Sequence, residues 1–181
     1  LIDYLPQDCI VVNRNTYQQW PRLNKLEQHY SLIRAGLPVI PSYSFSSYEV
    51  IDWNVFGYPL IAKTSFGSSG QGVFKADNRV ELDKIIQEKG INNLIFQQFL
   101  TTRTDYRVIV IGNRALPAAM KKTAKEGEFR TNFAQGGKVE GVELTQEMRT
   151  LAEKTAKVFK ADYAGIDIMY DENQKPYILE I

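Results

Sequence analysis

The chain has 181 residues, 44% of them hydrophobic, with 22 Lys and Arg set against 21 Asp and Glu for a formal net charge of +1. That length can bury a sizeable core in one domain or two small ones, and the even charge gives no long-range field favouring nucleic acid or an anionic membrane. Cys9 and His29 are the only residues of their kinds, which excludes an internal disulfide and a multi-cysteine metal site, and leaves little material for a Ser-His-Asp triad.

No apolar run reaches the roughly 18 residues of a membrane span, and the N-terminus lacks a signal pattern, so a cytoplasmic protein is expected. CIVV at 9–12 reads as a short buried strand. Leu23, Leu26, Tyr30 and Ile33 follow at helical spacing, stopped by Gly36 and Pro38, with His29 read as a helix-surface or core-edge residue. Leu60–Thr64 and Val73–Ala76 read as strands flanking a Gly- and Ser-rich loop at 65–72. Such a loop is either a flexible turn or a cradle whose backbone N–H groups face phosphate oxygens. Its glycines fit neither a Walker A nor a Rossmann pattern. Lys63, however, interrupts the apolar strand that enters the loop and favours the phosphate reading.

A helix over 78–89 is expected to bury Val80, Leu82, Ile85 and Ile86, followed by a strand at 94–100. Asp105, Tyr106 and Arg107 then open an alternating strand that turns at Gly112 and Asn113 and returns through 115–120, with Pro117 predicting an edge or a bulge. Residues 121–137 read as a polar loop carrying Lys121, Lys122, Lys125 and Arg130, either a solvated surface or a mobile cover over a phosphate. Thr145 caps a final helix running to Lys160.

The last stretch, AGIDIMYDENQKPYILEI at 164–181, reads as a hairpin. A uniform register pairing Tyr170 with Tyr177 and Ile168 with Leu179 sets Asp167 opposite Glu180, with Met169 and Ile178 as neighbours on the same face. Partners across a strand pair share a face with Cβ atoms roughly 5 Å apart. Two carboxylates so placed repel unless they are solvated or share a proton or a divalent cation.

In this order, the strand lysine, the Gly- and Ser-rich hairpin, QQFL, Asp-x-Arg, AKEGEFRTN with its following Gly-Gly, GIDI and LEI resemble the ATP-grasp superfamily of carboxylate-amine ligases. The AKEGEFRTN segment is similar to the RimK-like branch, whose members add glutamate to carboxylates. The resemblance implies an α+β ATP-grasp fold, two subdomains clasping a nucleotide between antiparallel sheets. Its divisions would be an end of a preceding domain at 1–22, a first subdomain at 23–100, and a second at 101–181 that stops short of its C-terminal end.

The resemblance also implies roles. Lys63 would contact the α- and β-phosphates, and Gly67, Ser68, Ser69, Gly70 and Gly72 would fold over the phosphate tail. Gln98, Phe99 and Leu100 would form the adenine linker, with Gln-Phe here where better-known members carry Glu-Tyr. Asp105 would lie on the ribose side, and Arg130, Thr131 and Asn132 on the triphosphate side. Asp167 and Glu180 would hold Mg2+, or Mn2+ in its place, the third family ligand being an Asn one position past Ile181. Lys63 and Arg130 would act catalytically on the transferred phosphoryl group. The implied activity is an ATP-dependent ligase joining a carboxylate acceptor, a small molecule or a protein tail, to an amino acid such as glutamate through an acyl phosphate. A non-catalytic magnesium-ATP module and a kinase are the alternatives. Neither nucleic acid nor membrane is an expected partner, and homo-oligomerisation stays open. Arg107 is either a contact for a substrate carboxylate or an ion-pair partner of Asp105 or another neighbour.

Overall fold

Two antiparallel sheets face one another in the computed structural model, which describes residues 5–6, 8–20, 23–47, 52–53, 56–67, 72–131 and 136–181. Strands β1 (Ser42–Tyr43), β2 (Leu60–Thr64), β3 (Val73–Ala76) and β4 (Leu94–Gln98) form the smaller sheet in the order β1-β4-β2-β3. The larger holds β5 (Thr104–Ile111), β6 (Arg114–Thr123), β7 (Lys138–Glu143), β8 (Tyr163–Tyr170) and β9 (Pro176–Glu180) in the order β7-β6-β5-β8-β9. The helices are α1 (Arg14–Gln19), α2 (Lys25–Arg34), α3 (Arg79–Lys89) and α4 (Gln146–Val158).

The two-residue period of the strands sorts each sheet into a covered face and a face turned to the cleft between them. In the smaller sheet Leu60, Ala62, Leu94 and Phe96 pack with Leu82 and Ile86 of α3, which turns Ile61 and Lys63 the other way. In the larger sheet Val108, Val110, Ile166 and Ile168 pack against Met148, Ala152, Ala156 and Phe159, which sends Asp105, Arg107, Asp167 and Met169 to the open face. Phe159 is fully buried against Trp20 at a ring separation of 5.2 Å; burial of such a side chain contributes about 3 kcal/mol. Leu32 and Leu37 join this second core, so α2 packs on the larger sheet. The helix starts agree with their capping residues: Thr145 Oγ1 accepts the Met148 N–H at 3.1 Å, and Asn24 and Glu27 form a reciprocal capping box.

Several expectations are corrected. Residues 9–12 form no strand: Ile10 is 97% exposed, because no sheet edge takes the segment up and the chain instead turns into α1 at Asn13, whose N–H donates to the Asp162 carboxylate at 2.8 Å. Helix α2 presents a different face from the one its apolar spacing suggests. Tyr30 and Ile33 are half exposed, whereas Gln28, His29, Ser31 and Leu32 are buried. Of the polar members of that face, Gln28 serves the backbone, its Oε1 accepting the Ile181 N–H at 3.0 Å. On α3 Leu82 and Ile86 are buried one turn apart while Val80 is exposed. Lys121 and Lys122 belong to β6 rather than to a loop.

Pro117 does mark a bulge: Val108 pairs with Ala119 but Val110 pairs with Ala115, so β6 carries extra residues between them. The closing hairpin has a bulge of its own. Asp167 pairs with Glu180 as expected, yet Ile168 pairs with Ile178 and Met169 with Tyr177, leaving Leu179 as the additional residue. The uniform register is therefore wrong for Tyr170 and Ile168 and right for the carboxylates, because the bulge restores the offset. Ile178 accordingly points into the core, and Leu179 joins Met169 and Glu180 at the cleft.

Candidate nucleotide and metal site

A cleft of about 500 Å³ lies between the two sheets, with Lys63, Gln98, Phe99, Leu100, Asp105, Arg130, Thr131, Asp167 and Glu180 among its lining residues. Those residues come from β2, the end of β4 and the segment after it, β5, the stretch after β6, β8 and β9. Gly67 and Gly72 line it as well, whereas Ser68, Ser69, Gly70 and Asn132 lie outside the described residues.

The Lys63 side chain makes no hydrogen bond or ion pair among the described residues. Burial pushes its ammonium down to about 8, partly offset by Glu180, while Lys25 adds a further lowering. A cation in that position is poised to gain a multivalent anion, whose charge would favour the protonated form. The ends of the Gly-rich loop are built around Thr64 and Lys25. Lys25 Nζ donates to the Gly67 carbonyl, Thr64 Oγ1 donates to the Phe66 carbonyl at 2.6 Å, and the Thr64 N–H donates to the Gly72 carbonyl at 2.8 Å. A Cβ at Gly72 would stand 1.9 Å from Thr64 Oγ1, so glycine is required there by close approach.

Part of the cleft lining is apolar, with Ile40, Ile61, Leu100, Met169 and Leu179 contributed from both sheets and the segments beside them. Phe99 lies at its rim, met edge-on by Phe129 at 6.3 Å and covered by Lys75 Nζ at 5.1 Å.

Another part of the lining is charged, and its carboxylates are not left facing each other alone. Arg107 Nε and Nη2 donate to Asp167 Oδ1 and Oδ2 at 2.7 and 2.6 Å, and Lys122 Nζ bridges Asp105 Oδ1 at 2.7 Å and Asp167 Oδ1 at 3.1 Å. The expected repulsion is thus relieved by two cations of the chain itself. Of the alternatives for Arg107, the structure displays the ion pair, made with Asp167 rather than Asp105. Asp105 is 4% exposed; burial raises its carboxyl pKa despite Lys122, and the Thr131 hydroxyl donates to its second oxygen. Glu180 forms no ion pair or hydrogen bond through its side chain among the described residues. Two carboxylates on one face suit a hard, oxygen-seeking cation, and Asp167 and Glu180 fit one with Glu180 directly available. Among the described residues no group of three His, Cys, Asp or Glu side chains gathers here or elsewhere.

Arg130 reaches the cleft from a docked segment. Arg103 Nη2 donates to the Ala124 carbonyl at 3.1 Å, the Ala124 N–H donates to the Arg103 carbonyl at 2.9 Å, and Thr131 at the far end is bound to Asp105. Between these anchors Glu128 Oε2 accepts from Arg130 Nη2 at 2.7 Å, and Oε1 accepts from Arg130 Nε at 3.1 Å. Arg130 holds the Glu128 carboxyl down to about 2.

Sequence reasoning missed two members of this site. Lys122 was grouped with loop lysines, although its two-residue spacing from Met120 continues the strand. Glu128 lies within AKEGEFRTN, and its place two residues before Arg130 is the signal that could have found it.

Residues 24–181 match the RimK-like ATP-grasp domain. A probable alpha-L-glutamate ligase of Thioalkalivibrio sulfidiphilus is 38% identical over 152 residues, which is 81% of this chain and 50% of that protein. Another, of Vibrio atlanticus, is 34% identical over 166 residues, 87% of this chain and 54% of its own length. The chain thus spans about half the length of these relatives. Among solved structures, the ATP-grasp ligase PsnB complexed with minimal precursor, Mg and ADP superposes with a TM-score of 0.71 at 22% identity, over 92% of this chain and 51% of PsnB. The D-alanine–D-alanine ligase of Bacillus anthracis gives a TM-score of 0.69 at 18% identity, over 87% of this chain and 55% of that enzyme. At such low identity these two speak for the fold alone. With the family domain matching residues 24–181, two antiparallel sheets clasping a cleft, and glutamate-ligase relatives above 30% identity, the chain belongs to the RimK-like ATP-grasp family.

Proposed function

We propose that this chain carries the ATP-binding and catalytic part of a ligase that joins a carboxylate to an amino acid, glutamate being the first candidate, with ATP and Mg2+ or Mn2+ and in the cytoplasm. The observation that carries the reading is the convergence in one cleft of a lysine with no side-chain partner among the described residues, a held arginine, two facing carboxylates and an apolar lining. The apolar lining with Phe99 at its rim suits a purine ring. Lys63 and the ends of the Gly-rich loop suit the phosphates, with Ser68, Ser69 and Gly70 proposed to complete the cradle, Asp105 to serve the ribose side, and Arg130, Thr131 and Asn132 the triphosphate side. Residues 23–100 and 101–181 would act as the two jaws.

In the proposed reaction a carboxylate oxygen of the acceptor bonds to the γ-phosphorus of ATP as the bond to the β,γ-bridging oxygen breaks, giving an acyl phosphate and ADP. The amine then bonds to the acyl carbon, phosphate leaves, and the nitrogen releases its proton. The difficulty is bringing anions together, so positioning and electrostatic stabilisation dominate. Lys63 supplies positive charge along the phosphate chain, and Arg130 supplies it where charge builds on the transferred group. Asp167 and Glu180 would hold the divalent cation, which when bound screens the phosphate oxygens. Arg107 and Lys122 hold Asp167 in orientation, and no covalent enzyme nucleophile is required.

In the full-length protein, Lys63→Ala and Arg130→Ala are expected to abolish amino-acid-dependent ADP release, with the amide product followed by mass spectrometry; unchanged turnover in either variant would sink the assignment. The same assay separates the other readings. A kinase releases ADP with one substrate and leaves a stable phosphorylated product, and a non-catalytic module binds ATP without turnover.

A further inference from the structure

Glu128 lies behind Arg130, outside the set of residues that line the cleft. Its carboxylate is the most heavily hydrogen-bonded in this region. Oε1 accepts the backbone N–H groups of Phe129 at 2.9 Å and Arg130 at 3.0 Å as well as Arg130 Nε, and Oε2 accepts Arg130 Nη2. One side chain thus fixes both the backbone at 128–130 and the plane of the guanidinium.

A carboxylate two residues from a phosphate-binding arginine would be counterproductive if it only reduced the local positive charge. Its use must lie in geometry. Arginine loses considerable rotamer freedom when it binds a ligand, and a clamp already made in the folded chain removes that loss from the binding step. The neighbouring contacts tie the clamp to the rest of the cleft. Phe129, whose N–H is held by Glu128, meets Phe99 edge-on, and the Arg130 guanidinium lies over the Phe129 ring at 5.5 Å. Thr131 is buried on Asp105.

We propose that Glu128 is a positioning residue: it holds the Arg130 guanidinium toward the phosphate end of the cleft and sets Phe129 against Phe99, so that the arginine is in place before the nucleotide arrives. This rests on the ATP reading given above. Glutamine at 128 keeps the shape and one acceptor, but its NH2 would meet the Arg130 Nη2 donor, so Glu128→Gln should break the two-point hold on the guanidinium while retaining the backbone contacts.

The test is a double-mutant cycle in the full-length protein over Glu128→Gln and Arg130→Ala, reading the ATP dissociation constant by calorimetry with magnesium and, alongside it, kcat for ADP release. With Arg130 present, Glu128→Gln should weaken ATP binding about tenfold and lower kcat by up to about a hundredfold. In the Arg130→Ala background its effect on either quantity should fall below about twofold. A merely structural role in the loop would give equal factors in both backgrounds, and that result would overturn the proposal while leaving the ATP reading intact. No ATP binding by the unmutated protein would overturn both. Glu128→Met run in the same cycle covers a folding defect peculiar to glutamine; because it also loses the backbone contacts, it should add a factor equal in both backgrounds while keeping the same Arg130-dependent loss.

Discussion

Raising the pH from 7 to 9 should weaken ATP binding about tenfold, and the cause should be one side chain. Burial pushes the Lys63 ammonium from its ordinary 10.5 down to about 8, so the free protein is mostly protonated there at pH 7 and mostly deprotonated at pH 9. Phosphate oxygens favour the ammonium, so above pH 8 the site must take up a proton to bind, and affinity falls by up to tenfold per pH unit until the pKa of the complex is reached. The direction follows from the lowered value: the nucleotide-free chain gains stability as pH rises from about 8 towards 10.5, because the unfolded chain still binds the proton that the folded one has released. A cation on Asp167 and Glu180 would push Lys63 further down, so the sign holds with magnesium present. His29 does not confuse the window, since burial lowers its pKa below 6.5. Calorimetry in two buffers of different ionisation enthalpy should read proton uptake rising from near zero at pH 7 towards about one at pH 9. Lys63→Arg should flatten the profile, arginine staying charged throughout. An ATP affinity constant to within about twofold from pH 7 to 9, or the same fall in Lys63→Arg, would refute the reasoning.

Two further outcomes are expected. Gly72→Ala must displace Thr64 Oγ1, which a new Cβ would meet at 1.9 Å; a loss of about 2 kcal/mol is expected by thermal or urea unfolding, with partial recovery in Gly72→Ala combined with Thr64→Ala. Glu180→Gln should leave Arg107 and Lys122 on Asp167 and the melting temperature within a few degrees, yet reduce the magnesium enhancement of ATP binding about tenfold in titrations with and without the metal.

Much of the cleft was legible because it rests on alternation. Lys63 between Ala62 and Thr64, Asp105 and Arg107 two apart, and Asp167 between Ile166 and Ile168 all occupy the positions that a two-residue period turns away from an apolar core. What resisted reading breaks that period or depends on another part of the chain. Helix α2 buries Gln28 in place of Ile33 because a distant backbone N–H, that of Ile181, needs an acceptor, and helical spacing carries no trace of that demand. The ion pairs of Asp167 come from Arg107 across one strand pairing and Lys122 across two, so the carboxylate pair alone suggests more repulsion than the folded chain contains. Residues 9–12 look like a strand by composition but lack an edge to join, and apolar content does not create one.

The extra residue in β9 has a consequence for how the cleft can change. Without Leu179, Ile178 would still pair with Ile168 and enter the core, and the glutamate would follow directly opposite Asp167, with Ile181 again turned inward. The bulge is therefore an insertion to which the surrounding pairing is indifferent. It adds an aliphatic side chain to the lining beside Met169 while the spacing of the carboxylates and the filling of the core stay as they were. The part of the lining suited to a flat apolar ring can be reshaped at that one position, by size or by removal, independently of the part suited to phosphate and metal, and the two parts of the site are separable in a hairpin five residues wide on its shorter arm.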